Sequence, residues 1–127
     1  MNNLGPCPFC NPQPTQTILY ENEACRAIFD QFAVSPGHLL IIPKRHIADY
    51  FELTLAEQYH LWEAVNYCKG LLDERFHPDG YNVGINVNAA AGQSIPHVHI
   101  HLIPRYIGDV PNPRGGIRGV IPGKQNY

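Results

Sequence analysis

The spacing of apolar residues changes along the chain, and each change marks an element. "TILYE" and "CRAIFD", residues 17–21 and 25–30, are strand-like stretches separated only by Asn22, Glu23 and Ala24, which predicts a short hairpin. "SPGHLLIIPKRH" reads as a turn followed by a strongly apolar strand at 38–43, ended by Pro43. From Leu53 the period becomes helical: Thr54 and Glu57 form a capping-box pair, Leu61, Val65, Cys68 and Leu72 recur on one face, and Pro78 and Gly80 stop the run. "YNVGINVN" returns to alternation, with Tyr81, Val83, Ile85 and Val87 on one face and Asn82, Gly84, Asn86 and Asn88 on the other. The small-residue loop "AAAGQS" then leads into "IPHVHIHLIPR", residues 95–105, so these last two strands are expected to pair antiparallel.

The second of them carries the chemistry. His97, His99 and His101 occupy alternate positions and share one side of a strand, while Val98, Ile100 and Leu102 share the other. Three imidazoles on one face suit metal ligation, nucleophilic or acid–base catalysis, or the binding of an anion such as phosphate. One shared ion is the poorest fit, because same-face neighbours on a strand lie about 7 Å apart and ligands sit about 2 Å from their metal. His60 and His77, in or at the end of the helix, read as solvated.

Composition narrows the partner. The 127 residues are expected to form one domain, and a net charge of −2 argues against a nucleic-acid surface, so an anionic ligand must be held by a local cluster. No apolar run approaches the roughly 18 residues of a membrane span and no leader pattern opens the chain, which predicts a cytoplasmic protein. Cys7 and Cys10 stand in C-x-x-C spacing within a Pro- and Asn-rich loop over 1–16, and read as reduced thiols or half of a tetrahedral metal site. With no strand before the motif, a thioredoxin-like role is disfavoured. Cys25 and Cys68 lie in apolar segments and belong to the core. The Gly- and Pro-rich stretch 108–127 is too broken for regular structure, and reads as an arm carrying Arg114 and Arg118.

"HVHIHLI" resembles the signature of the histidine-triad (HIT) family, and the resemblance runs from Cys7 to about Arg118, with "GYNVGINVNAAAGQSIPHVHIH" as an intact block. It is closest to the bacterial, Hint-like branch. The resemblance implies an α+β fold: an antiparallel sheet of about five strands with one long helix and short helical segments, the sheet continuing across a homodimer. It divides the chain into a HIT domain over 1–107, opening with the Cys-x-x-Cys knuckle, and the arm over 108–127.

It also implies a function, cleavage at the α-phosphorus of purine nucleoside phosphoramidates or dinucleoside polyphosphates through a nucleotidyl-histidine intermediate. His99 is the implied nucleophile, His101 the phosphate-binding neighbour and His38 a supporting histidine. Gly92, Gln93, Ser94 and Asn86 fall at phosphate or leaving-group positions, Asp30 at the ribose position, and Phe9, Ile28 and Ile18 at the base pocket. A structural zinc is implied on Cys7, Cys10, His46 and His97. The rival readings are nucleotidyl transfer to an acceptor other than water, and a zinc-stabilised nucleotide-binding protein with little turnover.

Overall fold

A computed structural model describes residues 7–10 and 17–127. Five strands, β1 (Ile18–Glu21), β2 (Cys25–Phe29), β3 (Leu39–Pro43), β4 (Gly80–Ile85) and β5 (Ile100–Arg105), form one sheet in the order β1-β2-β3-β5-β4, every neighbouring pair antiparallel. The expected α+β architecture is therefore the observed one. Asn22 closes the first hairpin, its side-chain oxygen accepting from the backbone N–H groups of Ala24 and Cys25 at 2.8 and 2.7 Å. The strand "LLIIP" is buried at every position because it is central, covered on both faces and paired on both edges.

The single long helix, α1 (Leu55–Phe76), starts at the expected capping box, with Thr54 Oγ1 accepting from Glu57 N at 3.1 Å and Glu57 Oε1 accepting from Thr54 N at 2.8 Å. It ends at His77, whose left-handed backbone (φ 52°) turns the chain while its N–H caps the carbonyl of Asp73. Leu61, Ala64, Val65, Cys68 and Leu72 face inward and close a core with Cys25, Ala27, Leu39, Ile41, Val98, Ile100 and Leu102. That core covers one side of the sheet. The other side carries Arg26 and Ile28, Leu40 and Ile42, His101, and Gly84, set opposite one another by the strand register. The knuckle 7–10 lies on this second side, where Phe9 packs with Ile28, Leu40 and Ile42.

Two strands are shorter than the alternation predicts. β5 begins only at Ile100, so His97 and His99 precede it: Val98 N–H bonds the carbonyl of Ile47 instead of a ladder partner, and His97 N–H closes a tight turn on Ile95. β4 stops at Ile85, and at Asn88 (φ 73°) the chain has turned into a short 3₁₀ turn, Ala89–Ala91. The arm also departs from expectation, for it contains a 3₁₀ turn at Gly116–Val120. Gly115 makes this turn possible: its φ is +89°, and a Cβ there would collide with the backbone carbonyl of Gln125.

Candidate functional site

Three imidazoles from "HVHIH" reach the second face of the sheet, and the hydrogen-bond partner of each fixes which ring nitrogen holds its proton. His97 Nε2 lies 2.7 Å from the carbonyl of Pro43, an acceptor only, so Nε2 carries the hydrogen and Nδ1 keeps its lone pair. His99 Nδ1 lies 2.9 Å from the carbonyl of His97, so here Nδ1 carries the hydrogen and Nε2 keeps the lone pair. His101 is set through His38, where Val34 N–H donates to Nδ1 at 3.2 Å. His38 Nε2–H then donates to His101 Nδ1 at 3.0 Å, which leaves His101 Nε2–H as a free donor. One lone pair and one N–H thus arise on neighbouring rings, whose centroids are 5.1 Å apart.

Burial keeps the supporting pair neutral. It pushes His101 down to about 4, with the nearby His99 and His38 adding to the effect and Asp30 opposing it. His38 is lowered for the same first reason, again against Asp30, whose Oδ2 is 3.5 Å from His38 Nε2. The other Asp30 oxygen accepts from Phe32 N–H at 2.9 Å, so the carboxylate also holds its own turn.

The remaining expected ligand contacts divide into two groups. Asn86 is half-buried just past Ile85, which pairs with Ile100, and Gly92 and Ser94 are exposed on the loop before the triad. Gln93 is committed to that loop: Nε2 donates to the carbonyls of Ala48 and Ile95 at 2.8 and 3.1 Å, and Oε1 accepts from Asn88 N–H at 2.8 Å. Its side chain braces the loop in this structure. Phe9 and Ile28 are 5% and 0% exposed and pack as core, with the Phe9 ring edge-on to His99 at 5.0 Å, whereas Ile18 is exposed. Lys44, Arg45 and Arg105 are each bound to a carboxylate, of Glu21, Glu57 and Asp109 respectively. Arg114 and Arg118 instead stack on the ring of Tyr127 at 4.9 and 4.7 Å. His60 is partly exposed and His77 exposed, as expected of solvated residues.

A second cluster lies on the far side of His97. Cys7 Sγ and Cys10 Sγ are 3.4 and 3.5 Å from His97 Nδ1, Cys10 Sγ is 3.2 Å from His46 Nδ1, and the two Nδ1 atoms are 3.2 Å apart. With metal–nitrogen and metal–sulfur bonds of about 2.0–2.3 Å, the edges of a zinc tetrahedron measure about 3.3–3.8 Å. The four separations given lie close to such edges, and all four donor atoms lie within 4.8 Å of one another. His97 Nδ1 has no hydrogen to share, and the bond from its other nitrogen to Pro43 is the outer support that metal-bound imidazoles use. Burial lowers His97 first of all, against the pull of the Pro43 carbonyl.

Sequence reasoning missed the partners that set these tautomers, Val34 N–H and the Pro43 carbonyl, because backbone groups leave no mark in side-chain patterning. It also passed over Arg26, a charged residue in "CRAIF", whose Nη1 is buried without a hydrogen-bond partner among the described residues.

Comparison with known proteins gives the family. A sequence model of the HIT domain matches residues 11–108. The chain is 42% identical over 90 residues to Protein hit of Bacillus subtilis, a match covering 69% of this chain and 61% of that one. It is 36% identical over 95 residues to the bis(5'-adenosyl)-triphosphatase of Dictyostelium discoideum, covering 75% and 64%. The matches thus span less than two thirds of the length of these two relatives. Among solved structures, a Zn-bound histidine triad family protein from Mycobacterium smegmatis superposes with a TM-score of 0.73 at 30% identity, over 81% of this chain and 75% of that one.

Proposed function

Because the chain belongs to the HIT family, we propose that it is a nucleotide hydrolase cleaving at the α-phosphorus of purine nucleoside phosphoramidates or dinucleoside polyphosphates. The observation that carries the reading is the bond from His99 Nδ1–H to the His97 carbonyl, which leaves His99 Nε2 as an unprotonated nucleophile. Nε2 attacks the α-phosphorus, the bond to the leaving oxygen or nitrogen breaks, and the leaving group departs with the bonding pair and takes up a proton. Water then attacks the same phosphorus, the Nε2–phosphorus bond breaks, and the water proton passes to solvent as the monophosphate leaves. His101 Nε2–H donates to a phosphoryl oxygen as charge develops, and its low pKa keeps the ring in the neutral form oriented by His38.

Asp30 serves the ribose hydroxyls through Oδ2, and Ser94 and Gly92 supply the exposed phosphate-side loop that Gln93 holds in shape. Phe9 and Ile28 serve the base as the packed floor of its pocket. Zinc, held by Cys7, Cys10, His46 and His97, supplies a closed structural crosslink between the knuckle, the segment after β3 and the triad segment. The open edge of β4 is where the sheet continues into a second copy, making the homodimer. The described cysteines form no disulfide and no described helix is long and apolar enough to cross a membrane; a cytoplasmic site of action suits both.

The test is a turnover panel of adenosine and guanosine phosphoramidates and dinucleoside polyphosphates, run with His99→Ala beside the native chain. Loss of turnover by about four orders of magnitude or more, with nucleoside monophosphate still bound, is the expected result. Near-normal kcat in that variant excludes the covalent route.

A further inference from the structure

The zinc reading leaves one charged side chain without a task. Arg26 lies on β2 between two core residues, Cys25 and Ala27, but points to the opposite face, where its register partners are Glu21 on β1 and Ile42 on β3. Ile42 belongs to the apolar floor on which Phe9 and Cys7 of the knuckle rest. The next residue, Pro43, supplies the carbonyl that holds His97. Arg26 Nε is taken by Glu21 at 3.3 Å, and Glu21 is shared with Lys44 at 2.9 Å. Nη1 is buried and has no acceptor among the described residues. Arg26 thus stands on the face that carries the knuckle, directly across from the floor residue Ile42 against which Cys7 packs.

A buried N–H of a permanent cation calls for an anionic acceptor. The nearby groups that become such acceptors are the cysteine sulfurs once ligated: two thiols and two imidazoles take up one Zn²⁺, two protons leave to solvent, and both sulfurs then carry thiolate charge. Resting on the zinc reading above, we propose that Arg26 is the outer-sphere partner of the Cys/His cluster, its Nη1–H serving the thiolate side and setting how firmly the knuckle retains its metal. Metal ligands are tuned by such outer partners, and losing one costs about 10- to 100-fold in affinity. Sequence carries the signal as a single arginine in an otherwise apolar strand.

The experiment uses the full zinc-loaded chain at one fixed pH, with a chromophoric chelator as competitor, comparing the native protein with Arg26→Met and Arg26→Lys. Arg26→Met is expected to bind zinc about 10- to 100-fold more weakly, with Arg26→Lys between it and the native protein. In Co²⁺-substituted protein, loss of the N–H donor leaves more electron density on sulfur, so the thiolate-to-metal absorption moves to longer wavelength in Arg26→Met. Native zinc affinity and an unmoved absorption in Arg26→Met overturn the proposal. So does a loss of thermal stability that is the same with and without metal, which makes Arg26 a packing residue alone. A native chain that holds no zinc fails at the earlier step and overturns the zinc reading itself, so the two failures are told apart.

Discussion

His101 and His38 are neutral because they are buried, and that has a measurable cost in acid. An unfolded histidine titrates near about 6.5, whereas folded His101 resists protonation until about 4. Between those values the unfolded chain binds protons that the folded chain refuses, so stability must fall as the pH drops from about 6.5 towards about 4. Carboxylates act lower: Glu57, held down to about 2 chiefly by Arg45, loses its contribution only below about 4.5. Urea midpoints across this range should decline less steeply in zinc-loaded His101→Asn than in the zinc-loaded native protein. Equal slopes would show that the pair does not govern the acid limb. The companion prediction at the knuckle is that Cys7→Ser loses both the metal, about one zinc per chain in the native protein, and thermal stability. Metal analysis together with a melting curve decides it.

At the level of elements, the start of α1 is more than a helix cap. Glu57 completes the capping box and also takes a two-pronged bond from Arg45 at 2.7 and 2.8 Å, so the helix is pinned to the segment that presents His46. Thr54→Ala removes one half of the box and should lower unfolding free energy by about 1 kcal/mol in urea titration. Zinc content should not change, because the Arg45–Glu57 contact survives. This helix, its inward residues and the hairpin were legible in the sequence, since period and turn chemistry are local properties. The triad's face was legible for the same reason: Val98 packs in the core while His97 and His99 turn away from it, although neither histidine is in β5. What local patterning could not reach was the departure from the strand, fixed by Ile47 far upstream, and the commitment of the Gln93 amide to Ala48. Both depend on a chain segment brought alongside only by the completed fold.

For the molecule as a whole, the arm matters most. Arg105 grips Asp109 through two bonds and Asn82 through a third at 2.6 Å, which turns the chain back beside β4 at the start of the arm. The 3₁₀ turn then lies along β4: a Cβ at Gly84, the register partner of His101, would touch Ile117. The arm therefore flanks the triad face from within the same chain and brings the Arg114–Arg118–Tyr127 stack with it. Truncation before Gly108, in protein that stays folded, should raise KM for a dinucleoside polyphosphate more than for a phosphoramidate with a small neutral leaving group. Steady-state kinetics on both substrates measures the difference, and an equal rise reduces the arm to a strap.

The residue at position 97 meets its two neighbours with different parts of itself: the ring turns to the cysteines, but it is the backbone carbonyl that orients His99. Every amino acid brings that carbonyl. Descendants of this chain could therefore exchange Cys7, Cys10, His46 and the imidazole of His97 for well-packed apolar residues, one crosslink for another, and inherit the aim of His99 unchanged. Under the proposed mechanism no such drift is open to His99 or His101, whose rings themselves do the work.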